Sequence, residues 1–158
     1  MTWEARLDAL WASFDELDEE EFRRRMDELT AELGPDSAVA QYERGSAFDS
    51  TGHSDLAVPH YERALELGLG EDRRRPAVIQ MASSLRNMGR VDESVALLEA
   101  ERARRSDELD DAISAFLAFA LVDSGREREG AAIALAALAP HLPRYQRSVG
   151  NYARLLTE

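Results

Sequence analysis

His53 and His60 stand seven residues apart around the start of one helical segment, and neither belongs to an HExxH spacing. An imidazole works as a metal ligand or general base only beside suitable partners. Three unclustered His and no Cys leave no zinc-ligand set, no disulfide and no thiol nucleophile. Gly68-Leu69-Gly70 begins like a glycine-rich phosphate loop but lacks the later Gly or Gly-Lys, so it reads as a loop. Carboxylate pairs such as Asp110-Asp111 suit acid–base work, yet a chain with 31 acids supplies such pairs by chance. The expectation is a non-catalytic chain with no cofactor and no metal.

The 158 residues suit one domain, with 44% apolar residues to build a core. The 19 basic residues, all Arg, face 31 acids for a net charge of -12. Such a chain repels phosphate backbones, which disfavours nucleic acid. The apolar stretches Ala112–Val122 and Gly130–Pro140 are too short to span a bilayer, and the first residues carry no secretory pattern. The expected location is therefore the cytoplasm, with no membrane partner. Residues 1–37 hold 12 acids and 4 Arg, a net of -8, whereas the other 121 hold 19 acids and 15 Arg. The leading segment is read as a solubilising cap, with steering of a basic partner as the sharper alternative.

The elements that position these residues read as helices almost throughout. Trp3, Leu7, Leu10, Trp11 and Phe14 form one apolar stripe, and Phe22, Met26, Leu29 and Leu33 form a second. Asp18 with Glu21 marks a helix start, and Gly34-Pro35 marks a stop. Glu19, Glu20 and Glu21 precede Arg23, Arg24 and Arg25 by four, a spacing for exposed ion pairs along the second helix.

From Asp36 the chain repeats. Turn glycines recur at Gly52, Gly89 and Gly125, spaced 37 and 36. A small residue sits seven before each (Gly45, Ala82, Ala118) and another five after (Ala57, Ser94, Gly130). A large apolar residue sits four before (Phe48, Leu85, Leu121). Two antiparallel helices approach closely only where both lack bulk, while a large neighbour fills the space beside the crossing.

This pattern resembles the tetratricopeptide repeat, a helix–turn–helix unit of about 34 residues. Tyr61 and Ala64 extend the match in the first unit. The stretches Ile79–Arg90, Ala47–Gly52 and Asp123–Arg126 are more specifically similar to the small bacterial group 5 of that family. Glu101 and Ala134 depart from the pattern, standing where a small residue and an aromatic are usual. The resemblance implies an all-α, right-handed superhelical solenoid of about nine helices. It would comprise an atypical pair over 1–35, units over 36–70, 71–106 and 107–140, and a closing helix over 141–158.

It further implies a protein- or peptide-binding groove on the first helix of each unit, at positions ten, six, three and two before the turn glycine. These are Tyr42, Ser46, Asp49 and Ser50, then Ile79, Ser83, Arg86 and Asn87, then Ala115, Phe119, Val122 and Asp123, with Gln80 and Phe116 at the edge. Asn87 and Gln80 suit a peptide backbone, Arg86 a carboxylate, and Phe116 with Phe119 either an apolar anchor or the core beneath the last helix. The clamp with which chaperone-tail binders of the family hold a terminal carboxylate is absent, its positions being Tyr42, Ser46, Gln80, Ala112 and Phe116. A small acidic chaperone for a basic or apolar client is the alternative function. The apolar run Ala131–Ala139 presents Ala132, Leu135 and Ala139 as a homodimer surface, unless the last helix folds over it.

Overall fold

A computed structural model describes all residues, 1–158. The chain is all-helical, with nine α-helices and no strand. They are α1 (Trp3–Ala12), α2 (Glu19–Ala31), α3 (Ala38–Ser50), α4 (Ser54–Glu66), α5 (Glu71–Asn87), α6 (Val91–Arg104), α7 (Asp110–Asp123), α8 (Glu127–Leu138) and α9 (Gln146–Leu155). Two compact units divide the chain, Met1–Ser84 and Leu85–Glu158.

The turns between paired helices share one hydrogen-bond device. Gly52, Gly89 and Gly125 all take positive φ, at 78°, 77° and 79°. That left-handed step carries no Cβ clash in glycine alone. It brings the next amide back onto the helix just ended: His53 donates to the carbonyl of Phe48 at 2.9 Å, Arg90 to Leu85 at 2.9 Å and Arg126 to Leu121 at 2.8 Å. The acceptors are the three large apolar residues of the repeat. One position thus fills space with its side chain and closes the helix with its carbonyl.

In the first unit, α1 and α2 enclose Leu7, Leu10, Phe22, Met26 and Leu29, together with Ala47 from α3. Phe22 meets Trp11 at 5.0 Å and Phe14 edge-on at 4.9 Å between ring centroids. Asp18 caps α2 by accepting from the Glu21 amide at 2.8 Å. The two stripes end earlier than expected: Phe14 lies in a short 3-10 turn after α1, and Leu33 lies beyond α2, 38% exposed. Of the expected ion pairs, Arg23–Glu19 and Arg25–Glu21 form, whereas Arg24 turns to Glu21 and Glu28. Hydrogen bonds from Arg24 and then Arg25 lower the Glu21 carboxyl to about 2. In the α3–α4 hairpin, Gly45 is buried so closely against Tyr61 that a Cβ would stand 3.0 Å from its ring.

In the second unit, α7 packs on α6 and α8, and α8 on α9. Gly130 is needed where α8 crosses α7, since a Cβ there would stand 2.8 Å from the Ala118 carbonyl oxygen. The departure at Glu101 is accommodated by burial at 3% exposure with an ion pair to Arg104 at 2.8 Å. Helix α9 brings Ala153 into the interior at 1% exposure, and Arg128 of α8 donates to the Leu156 carbonyl at 3.0 Å. Helix α9 lies over part of the surface expected at Ala132, Leu135 and Ala139. Ala132 and Ala139 are buried, at 8% and 5%, and only Leu135 remains open, at 38%.

Candidate functional site

The residues with chemical character are mostly absorbed locally. His60 presents Nδ1 to Gln41 Oε1 at 2.7 Å and stacks on Phe48 at 5.5 Å; burial, then Arg44, lowers its pKa. His53 lies edge-on to the same Phe48 ring, and His141 pairs with Asp111 at 2.7 Å. The Gly68 turn is a helix end, with Leu69 donating to the Ala64 carbonyl at 3.1 Å. No group of three or more His, Asp or Glu is arranged to hold a metal ion, and no helix is long and apolar enough to cross a membrane.

In the first unit, the expected groove residues surround a polar pocket of about 390 Å³. Helix α3 supplies Tyr42, Glu43, Ser46 and Ser50; α1 supplies Leu7, Asp8 and Trp11; α5 supplies Arg73 and Gln80. Ser46 donates to Gln80 Oε1 at 3.4 Å. Burial raises the Tyr42 hydroxyl above its ordinary pKa. Asp49 plays another part: its carboxylate accepts from Ser84 at 2.7 Å and from the Tyr61 hydroxyl at 3.4 Å, tying α3 to α4 and α5. Desolvation raises its pKa despite those two donors. Ser83 is half-buried outside the pocket, and Ile79, expected on the lining face, is buried at 8% exposure.

Glu43 is the residue that positional reading missed. It is 4% exposed, and one carboxylate oxygen accepts the Trp11 indole N–H at 3.0 Å. Burial raises its pKa, against the Trp11 hydrogen bond and the charge of Arg73. The signal was present in the spacing, since Glu43 lies three after Ala40 and four before Ala47, on the buried stripe of α3.

In the second unit, α7 and α8 form an apolar groove of about 280 Å³. Ala115, Phe119 and Val122 line one side, with Ala131 and Ala134 opposite and Glu127 at the rim. Phe119 is 55% exposed, and Val122 is exposed beside it. Phe116 meets Phe119 edge-on at 6.5 Å but is half-buried and outside the groove. Arg86 lays its guanidinium 5.3 Å from the Phe119 ring centroid and donates Nε–H to Asp123. Asn87 is exposed at the end of α5. The two aromatics therefore divide: Phe119 is a surface residue, not core beneath α9.

Helical hairpins closed by a left-handed glycine, with small residues at their crossings, define a helical-repeat protein. The chain belongs to the tetratricopeptide repeat family: a family model described as Tetratrico peptide repeat, of the group 5 type, matches residues 38–156. Membership implies a protein-interaction module. Comparison with the curated proteins gives no match.

Proposed function

We propose that the chain is a non-catalytic module that binds a protein or an extended peptide through the first helices of its repeats. The division into a leading pair, three repeat units and a closing helix, as one cytoplasmic domain, belongs to that reading. The observation that carries it is the open apolar groove of α7 and α8 with Phe119 at 55% exposure. Solvent-exposed aromatics beside small residues give a partner's apolar side chain a place to bury area. The Arg86–Asp123 pair at one edge adds a donor and an acceptor for a backbone or a charged side chain. A groove already formed spares the module the entropy of ordering itself, and affinities near micromolar, about -8 kcal/mol, are expected. Selection from a displayed peptide library tests this. Selected peptides should lose at least tenfold in affinity to Phe119→Ala or to the Arg86→Ala/Asn87→Ala double variant, and unchanged affinity would remove the groove from the account.

A second reading, a small chaperone for a basic client, is favoured by charge: residues 1–84 hold 19 acids against 9 Arg, residues 85–158 hold 12 against 10. One stoichiometric basic client co-purifying with the chain would support it. Self-association through the outer side of α8, expected at Ala132, Leu135 and Ala139, rests on Leu135, which is 38% exposed. Light scattering of wild type and Leu135→Arg decides it, a monomer in both excluding the dimer.

A further inference from the structure

The pocket of the first unit combines a buried anion, aromatic walls and one neutralised cation. Glu43 Oε2 takes the Trp11 indole N–H, while Oε1 is 3.6 Å from Arg73 Nε, an ion pair longer than a hydrogen bond. The second oxygen of a carboxylate only 4% exposed is thus met by Arg73 at long range, and Glu43 lines the pocket. Arg73 is already shared, donating to Glu4 at 2.9 Å and to Asp72 at 2.8 Å. With Asp8 on the pocket wall, four carboxylates stand against one guanidinium.

We propose that this pocket takes the basic side chain of a partner, an arginine or lysine whose head group reaches Glu43 Oε1 between Trp11 and Tyr42. The inference deepens the protein-binding reading and rests on it. A guanidinium or ammonium group brings Oε1 a closer donor and additional positive charge together. Trp11 and Tyr42 line the pocket, and aromatic rings attract cations. Gln80, Ser46 and Ser50 add acceptors for its remaining N–H groups. An anion would meet a buried carboxylate at close range, and an apolar side chain would seal the carboxylate from water while offering it no donor. Burial already disfavours the charged form of Glu43, so an arriving cation relieves a desolvated charge.

The test is a titration of the full-length, 15N-labelled chain with N-acetyl-arginine methylamide, with the citrulline analogue alongside. Two indole N–H signals exist, and Trp3 donates to the Leu29 carbonyl at 3.0 Å, so the Trp11 signal alone reports on the pocket. Capped arginine should shift the Trp11 indole signal saturably, and citrulline should bind at least tenfold more weakly. Glu43→Gln, which keeps an acceptor for Trp11, should lose at least tenfold, and the exposed Asp8→Asn a smaller factor. No Trp11 shift, equal binding of citrulline, or unchanged affinity in both variants would overturn the assignment. Free arginine brings an α-carboxylate to the acidic rim and should bind more weakly than the capped form; tighter binding would overturn a partner's side chain as the occupant. Library peptides that bind α7 and α8 without moving Trp11 would sink this inference and leave the interaction reading standing. Capped arginine moving Trp11 when no library peptide binds would do the reverse.

Discussion

Arg86 donates Nε–H to Asp123 Oδ2 at 2.5 Å while its guanidinium stacks 5.3 Å from the centroid of Phe119. One side chain at the end of α5 thereby fixes both a charged and an aromatic residue of α7. The pair is partly solvated, with side chains 32% and 38% exposed. Partly exposed ion pairs and cation–π contacts each contribute about 0.5–1 kcal/mol.

Arg86→Ala should therefore lower stability by no more than about 1.5 kcal/mol in urea denaturation, while peptide affinity falls at least tenfold. A loss above about 3 kcal/mol would mark Arg86 as a structural pin, since effects of that size come from buried networks.

Gly130→Ala sets two effects against each other. Alanine favours a helix by about 1 kcal/mol over glycine. Its Cβ, however, would stand 2.8 Å from the Ala118 carbonyl oxygen, which is backbone and cannot rotate away. The α7–α8 hairpin must open, and a net loss of about 1–3 kcal/mol is expected in thermal or chemical denaturation. A gain in stability would show that the crossing has room for a Cβ.

Asp49→Ala removes the acceptor of both Ser84 and Tyr61. Two partly buried hydroxyls left without it should cost about 1–3 kcal/mol in denaturation, with the first unit losing protection from hydrogen exchange first. A change under about 0.5 kcal/mol would place Asp49 back among solvated surface residues.

Glu43 gives a pH dependence opposite to that of a salt-bridged carboxylate. Its folded-state pKa is raised, so the folded chain holds the proton after the unfolded chain has released it. Stability then falls as pH climbs from the ordinary glutamate value, about 4.3, through the raised one, and levels off above it. Glu43→Gln should match wild type below that window and exceed it at pH 7. Melting curves of the two proteins across this range check the sign, and a variant less stable at pH 7 than at pH 4, relative to wild type, would reverse it.

The repeat register was legible because its cause is local. A left-handed glycine, a small residue at the crossing and a large residue four before the turn all leave marks within one hairpin, as Gly125, Gly130 and Leu121 show. Side-chain roles set by neighbouring helices were not. Asp49 and Ile79 occupy groove positions of the repeat, but Tyr61 and Ser84 draw Asp49 inward and packing buries Ile79. Phe116 and Phe119 are three residues apart, about 60° around a helix, enough to half-bury one and expose the other. Ala132 and Ala139 depended on where α9 lies, which no spacing within α8 reveals. Glu43 was hidden among 31 acids although its place on the Ala40–Ala47 stripe was visible.

Amide shift mapping with one library-selected peptide tests the central claim most directly. Binding should perturb residues around Phe119, Val122 and Ala131, with Phe119→Ala abolishing those shifts at the same peptide concentration. Shifts confined to the exposed sides of α2 and α4, unchanged in Phe119→Ala, would contradict it.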